Sequence, residues 1–114
     1  MPRDRRDLGG GRVVAMTSCP KLRHNLSRWE PLYAATPFLL GGMLCVVPCR
    51  AVLIDCESCG STAAYAIAGE IRKYPDRPKL IAVLPEDVEA SCWTPWDHVL
   101  HRQTDWRDLK QCLD

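Results

Sequence analysis

No stretch of this sequence is long and apolar enough to cross a bilayer. The longest apolar run, Pro37 to Pro48, is interrupted by two glycines and bounded by prolines, and it falls short of the ~20 residues a spanning helix needs. The first residues, Met1 to Gly11, are charged and then glycine-rich and lack the apolar core of a secretory signal. Residues 1–11 are therefore expected to be a linker at the edge of a longer protein, with one domain over 12–114. Charge of one sign is also missing. Fifteen Lys and Arg stand against fourteen Asp and Glu, a formal net charge of +1, so no strong field favours nucleic acid or an anionic membrane as partner. Internal repeats and low-complexity tracts are absent, which excludes a solenoid or array.

What the chain does contain is ordinary for a globular protein of 114 residues, 46% hydrophobic and 25% charged, enough for one modest core. Seven cysteines are many for this length. An odd number scattered along the chain makes a poor disulfide framework. Reduced, mostly buried thiols in a cytoplasmic protein are the expectation.

Short β-like runs alternate with helical stretches, the pattern of a parallel sheet covered on both faces. Arg12–Thr17 reads as the first strand. Ser18 to Pro20 opens a helix whose apolar face is Leu22, Leu26 and Trp29, spaced i, i+4, i+7, and Pro31 ends it. A second strand is expected over Tyr33–Leu40, and a short or irregular second helix over Gly41–Pro48. Ala51–Asp55 (AVLID) and Leu80–Leu84 (LIAVL) read as buried strands. Between them a helix starts at Gly60–Thr62, with Ala64, Ile67, Ala68 and Ile71 inward. Pro85-Glu86-Asp87 opens a fourth helix, Asp97–His101 fits a fifth strand, and Thr104 or Asp105 caps a last helix facing inward with Trp106, Leu109 and Leu113. Five β-α units of this kind give a doubly wound α/β sheet of order 2-1-3-4-5, with ligands and chemistry at the carboxyl edge of its strands. That edge comprises Met16-Thr17, Asp55-Cys56-Glu57, Leu84-Pro85 and His101-Arg102.

This order and spacing, clearest in AVLID, in GSTAAYAIAGEIRKYPDRPKLIAVL and in DHVLHRQTDWRDLKQCL, resembles the receiver domain of two-component response regulators across Gly11 to Leu113. The resemblance implies a flavodoxin-like fold and a phosphoryl site of four parts: two acids that help hold Mg²⁺, an acceptor aspartate, a Ser or Thr, and a Lys. Asp55 matches the acceptor. Met16-Thr17 stands where the acids belong, Leu84 where the Ser or Thr belongs, and His101 or Arg102 where the Lys belongs. Cys56-Glu57-Ser58-Cys59 replaces the usual Met-Pro segment. Phosphoryl transfer depends on positioning and charge neutralisation, so the expectation is a pseudo-receiver, with no catalysis and no cofactor. Similar domains lie between the kinase core and the true receiver of hybrid sensor histidine kinases. The resemblance thus implies partners in the same signalling chain (kinase core, true receiver or phosphotransfer domain), with no nucleic acid and no membrane contact. It also implies a cytoplasmic location in a parent anchored in the inner membrane.

Three residue groups add alternatives. Asp55 either accepts phosphoryl as an atypical receiver or is a partly exposed strand-end acid that caps nearby amides. Cys56-x-x-Cys59 follows a strand and precedes a helix, a place where thiols are activated, so a redox sensor is the rival; a zinc site from Cys45, Cys49, Cys56 and Cys59 has the wrong spacing. His98 and His101 fall on opposite strand faces and make no metal pair. Finally, Trp93 and Trp96 either fill the core edge or form a docking surface with His98, Arg107 and Lys110, because exposed aromatics rimmed by charge suit partner binding.

Overall fold

The computed structural model describes residues 12–46, 48–73, 77–84, 96–101 and 106–113. Strands β1 (Arg12–Met16), β2 (Leu32–Tyr33), β3 (Cys49–Asp55), β4 (Lys79–Leu84) and β5 (His98–His101) form one sheet. All its pairings are parallel, and the order is β2-β1-β3-β4-β5, as the sequence pattern predicts.

Side chains alternate across a strand, so the apolar runs build two cores rather than one. Val14, Met16, Val52, Ile54, Leu80, Ala82 and Leu84 face one side, where they meet Leu40, Ala64, Ala68 and Ile71. Val13, Ala15, Ala51, Leu53, Ile81 and Val83 face the other, against Leu22, Leu26, Leu109 and Leu113. This is why β1, β3 and β4 are apolar at nearly every position, as strands buried on both faces must be.

Helix α1 (Pro20–Leu26) starts with proline in its first turn and runs into a 3-10 turn, Ser27–Trp29. Glu30 closes that turn in the left-handed region, φ 49°, just before Pro31. Helix α2 spans Pro37–Val46. This corrects the expected strand over Tyr33–Leu40: β2 is only Leu32–Tyr33, and the helix begins where the strand was expected to continue. The reason is local. Thr36 caps the helix, its Oγ1 accepting from the Leu39 amide at 3.1 Å, and Pro37 occupies the first helical position, where a missing N–H costs nothing.

A single helical turn, Cys56–Cys59, follows β3, and helix α3 (Ser61–Arg72) follows that turn. Gly60, at φ 90°, joins the two in a conformation open to glycine. The α4 helix covers Trp106–Leu113. Its C-terminal carbonyls take charge-assisted bonds from Lys79 Nζ, to Cys112 O at 2.6 Å, and from Arg50, to Leu113 O; cations there offset the helix dipole.

The segment entering β5 is pinned to β4. Asp97 receives both Arg77 guanidinium nitrogens, at 2.7 and 3.0 Å, and the Leu80 amide at 2.8 Å, while its own amide donates to Leu80 O. Trp96, 1% exposed, lies beside it in the first core, edge-on to Tyr65 with ring centroids 5.4 Å apart. The expected linker at 1–11, the fourth helix after Pro85 and the cap at Thr104 or Asp105 lie outside the described residues. Among the described residues no helix is long and apolar enough to cross a membrane.

Candidate functional site

The parallel register brings the ends of β1, β3 and β4 to one edge, with Met16 beside Ile54 and Asp55 beside Val83. Asp55 is the last residue of β3 and also the N-cap of the turn that follows, where its Oδ1 accepts from the Glu57 amide at 3.2 Å. It is 0% exposed, which corrects the expectation of a partly exposed acid; the capping role stands.

A buried carboxylate needs donors to offset lost hydration. Thr17 Oγ1 donates to Asp55 Oδ2 at 2.7 Å, and Ser58 Oγ donates to the same oxygen at 2.9 Å. Backbone amides hold these hydroxyls in turn. The Cys19 amide donates to Thr17 Oγ1 at 3.1 Å. The Ser18 amide donates to Ser58 Oγ at 3.0 Å, and the two serine hydroxyls are 3.0 Å apart. The sequence placed Thr17 at this edge only as a missing acid. That Thr17 and Ser58 would converge on Asp55 was not legible, because they lie on different connections.

Beside this network is a cavity of about 370 Å³, lined by Met16, Thr17, Ser18, Tyr33 and Ser58, with Arg23 at its wall. The Arg23 guanidinium stacks over the Tyr33 ring, 4.1 Å from its centroid, a cation–π contact. In the receiver pattern this is the region of the metal-binding acids; here its polar lining is hydroxyl and guanidinium. Among the described residues no three His, Cys, Asp or Glu side chains gather as a metal site. Leu84 occupies the Ser/Thr position and is buried, His101 is exposed, and Arg102 lies outside the described residues.

The thiols are dispersed. Cys49 and Cys56 bracket β3, roughly 20 Å apart by strand rise, so they cannot share one ion with Cys45. Cys56 is 1% exposed, with its Sγ toward Ile54 O at 3.9 Å. That burial corrects its candidacy as an accessible redox thiol, which needs exposure. The Cys59 side chain lies outside the described residues. Burial pushes the Cys49 thiol up to about 11 and raises that of Cys112, so both are protonated at neutral pH.

Trp96 corrects the docking surface drawn from sequence: its ring fills the core and cannot present itself to a partner. Trp93 lies outside the described residues. His98 is half-buried, and Arg107 and Lys110 are exposed on α4. The Arg77–Asp97 clamp was missed from sequence, where Arg77 sat in a proline-rich loop with no visible partner.

No protein-family model and no curated protein matches the chain. Solved structures do. A CheY-like response regulator receiver domain from Methylobacillus flagellatus superposes with a TM-score of 0.71 at 14% identity, covering 91% of this chain and 98% of that one. The Salmonella typhimurium RcsB response regulator, solved for its conformational dynamism in DNA interaction, gives a TM-score of 0.62 at 13% identity, covering 90% of this chain and 58% of its own. Identities this low speak for architecture alone; by sheet order, helix placement and these superpositions, the chain has the receiver-like fold of two-component response regulators.

Proposed function

We propose that this chain is a receiver-like docking domain of two-component, phosphorelay signalling that takes no phosphoryl group itself, and that it is a segment of a hybrid sensor histidine kinase. The observation that carries this is the state of Asp55. An acceptor aspartate must reach phosphorus with a free carboxylate oxygen beside a metal. Asp55 is sealed from solvent, and its Oδ2 is taken up by the hydroxyls of Thr17 and Ser58. Met16 and Thr17 stand where a receiver has the acids that help hold Mg²⁺, so charge developing on a transferring phosphoryl group would lack the metal's share of its offset. No catalytic activity belongs to the domain. It works in the cytoplasm by binding the kinase core, a true receiver or a phosphotransfer domain, and its candidate contact surface is His98, Arg107 and Lys110. The DNA interaction of RcsB belongs to a longer protein, and a net charge of +1 gives no reason to carry it over.

Incubation with acetyl phosphate and Mg²⁺, followed by intact mass, tests the chemistry. No phosphoryl adduct is expected. An adduct that forms and then disappears in Asp55→Asn would overturn the reading.

A further inference from the structure

Helix α2 is apolar all round, and such a helix is normally buried on every side. Its inner face is: Leu40 is fully buried, and Met43 and Leu44 pack on the first core. Its outer face is not. Phe38 is 87% exposed, Leu39 47% and Val46 78%, and Gly42 and Cys45 are exposed between them. At 100° per residue these positions form one continuous arc, and Gly42 is at its centre. No residue of α2 carries a charge.

Gly42 has no internal explanation. A Cβ built there meets nothing within 4 Å, its φ is not positive, and glycine inside a helix is less stable than alanine. A glycine at the centre of an exposed apolar face permits close approach of another backbone. We propose that this face is the contact between two copies of this chain, with α2 packed antiparallel on α2 about a two-fold axis at Gly42.

The second copy is favoured over another partner because the face complements itself. Phe38 projects from the N-terminal end of α2. Along its C-terminal end opens a largely apolar groove of about 430 Å³ toward α3, lined by Leu44, Cys45, Ile67 and Ile71, with Glu70 and Arg77 also on its walls. Antiparallel pairing sets glycine against glycine and carries Phe38 of each copy to the groove of the other, the isologous arrangement in which one patch serves both subunits. A helix without charge meets its own copy without like-charge repulsion. Phe38, Leu39 and Val46 together offer about half of the ~800 Å² per partner that a standard interface buries, and the groove walls supply further apolar area. A membrane surface fits less well, since an interfacial helix carries a cationic face. This inference does not rest on the phosphoryl reading above, and the two stand or fall separately.

Sedimentation velocity over a range of concentrations tests it. Wild type is expected to show a monomer–dimer equilibrium. Phe38→Asp and Gly42→Leu should each weaken it by about tenfold or more. Gly42→Leu should do so while melting no lower than wild type, because the monomer has room for the side chain and leucine favours helix. In wild type alone, alkylation of Cys45, followed at peptide level, should slow as concentration rises. A wild type that stays monomeric at high concentration overturns the proposal, whether or not another protein binds the face. So does a dimer that survives Gly42→Leu, or a Cys45 rate independent of concentration.

Discussion

Asp55 and Thr17 show what a hydroxyl does beside a buried carboxylate. A hydroxyl at the end of β1 cannot hold a divalent ion as an acid does, but it can donate to a carboxylate, and Thr17 does so from a buried position. Thr17→Val keeps the shape and removes the donor. The carboxylate then lacks one of its charge-assisted bonds, which costs about 1.5–3 kcal/mol. Urea denaturation should show a lower midpoint with an unchanged slope. Stability equal to wild type would mean that Asp55 does not depend on Thr17. The pattern of missing acids was legible in the sequence; the partner they left for Asp55 was not, because residues 17, 55 and 58 meet only when β1 and β3 are side by side.

Among the elements, β5 owes its place to a clamp outside it. Arg77 and Asp97 tie the start of β5 to the start of β4, and the hydrogen bonds from Arg77 hold the Asp97 carboxyl at about 2, below its ordinary 3.8. A carboxyl depressed in the folded state contributes stability that is fully present above its unfolded value and is lost as pH falls through the folded one. The contribution should therefore fade between about pH 4 and pH 2. The pair is partly solvated, with side chains 23% and 30% exposed, so screening limits it to about 1 kcal/mol. Asp97→Asn should flatten the acid limb of a stability-against-pH curve, and an unaltered limb would show that the clamp carries no net energy. The strands and most helices follow from periodicity in the chain. Among the described residues the boundary furthest from expectation, Thr36-Pro37, was a cap and first turn read as strand; both fit the same residues until the cap's hydrogen bond is seen.

For the molecule as a whole, Trp96 is the largest side chain sealed in the first core, and it joins the entry to β5 to Tyr65 of α3. Among the described residues its Nε1 has no hydrogen-bond partner, and its contacts there are those of packing. Trp96→Ala is expected to cost roughly 3–5 kcal/mol, a large share of the ~5–15 kcal/mol that stabilises a domain. A thermal melt should show a large drop in midpoint for the entire domain. A variant that melts like wild type would mean the ring is not part of the core.

The unbroken apolar runs AVLID and LIAVL were enough to mark strands buried on both faces, and the succession of five β-α units pointed to the sheet order, because each strand carries its own need for cover. The absence of acids just after β1 was equally plain from the residues alone. Only the tertiary structure decided what replaced them, that Trp96 turns inward, that Cys56 is sealed, and that the apolar outer face of α2 is left open. These depend on distances between residues far apart in the chain, and no local pattern encodes such distances.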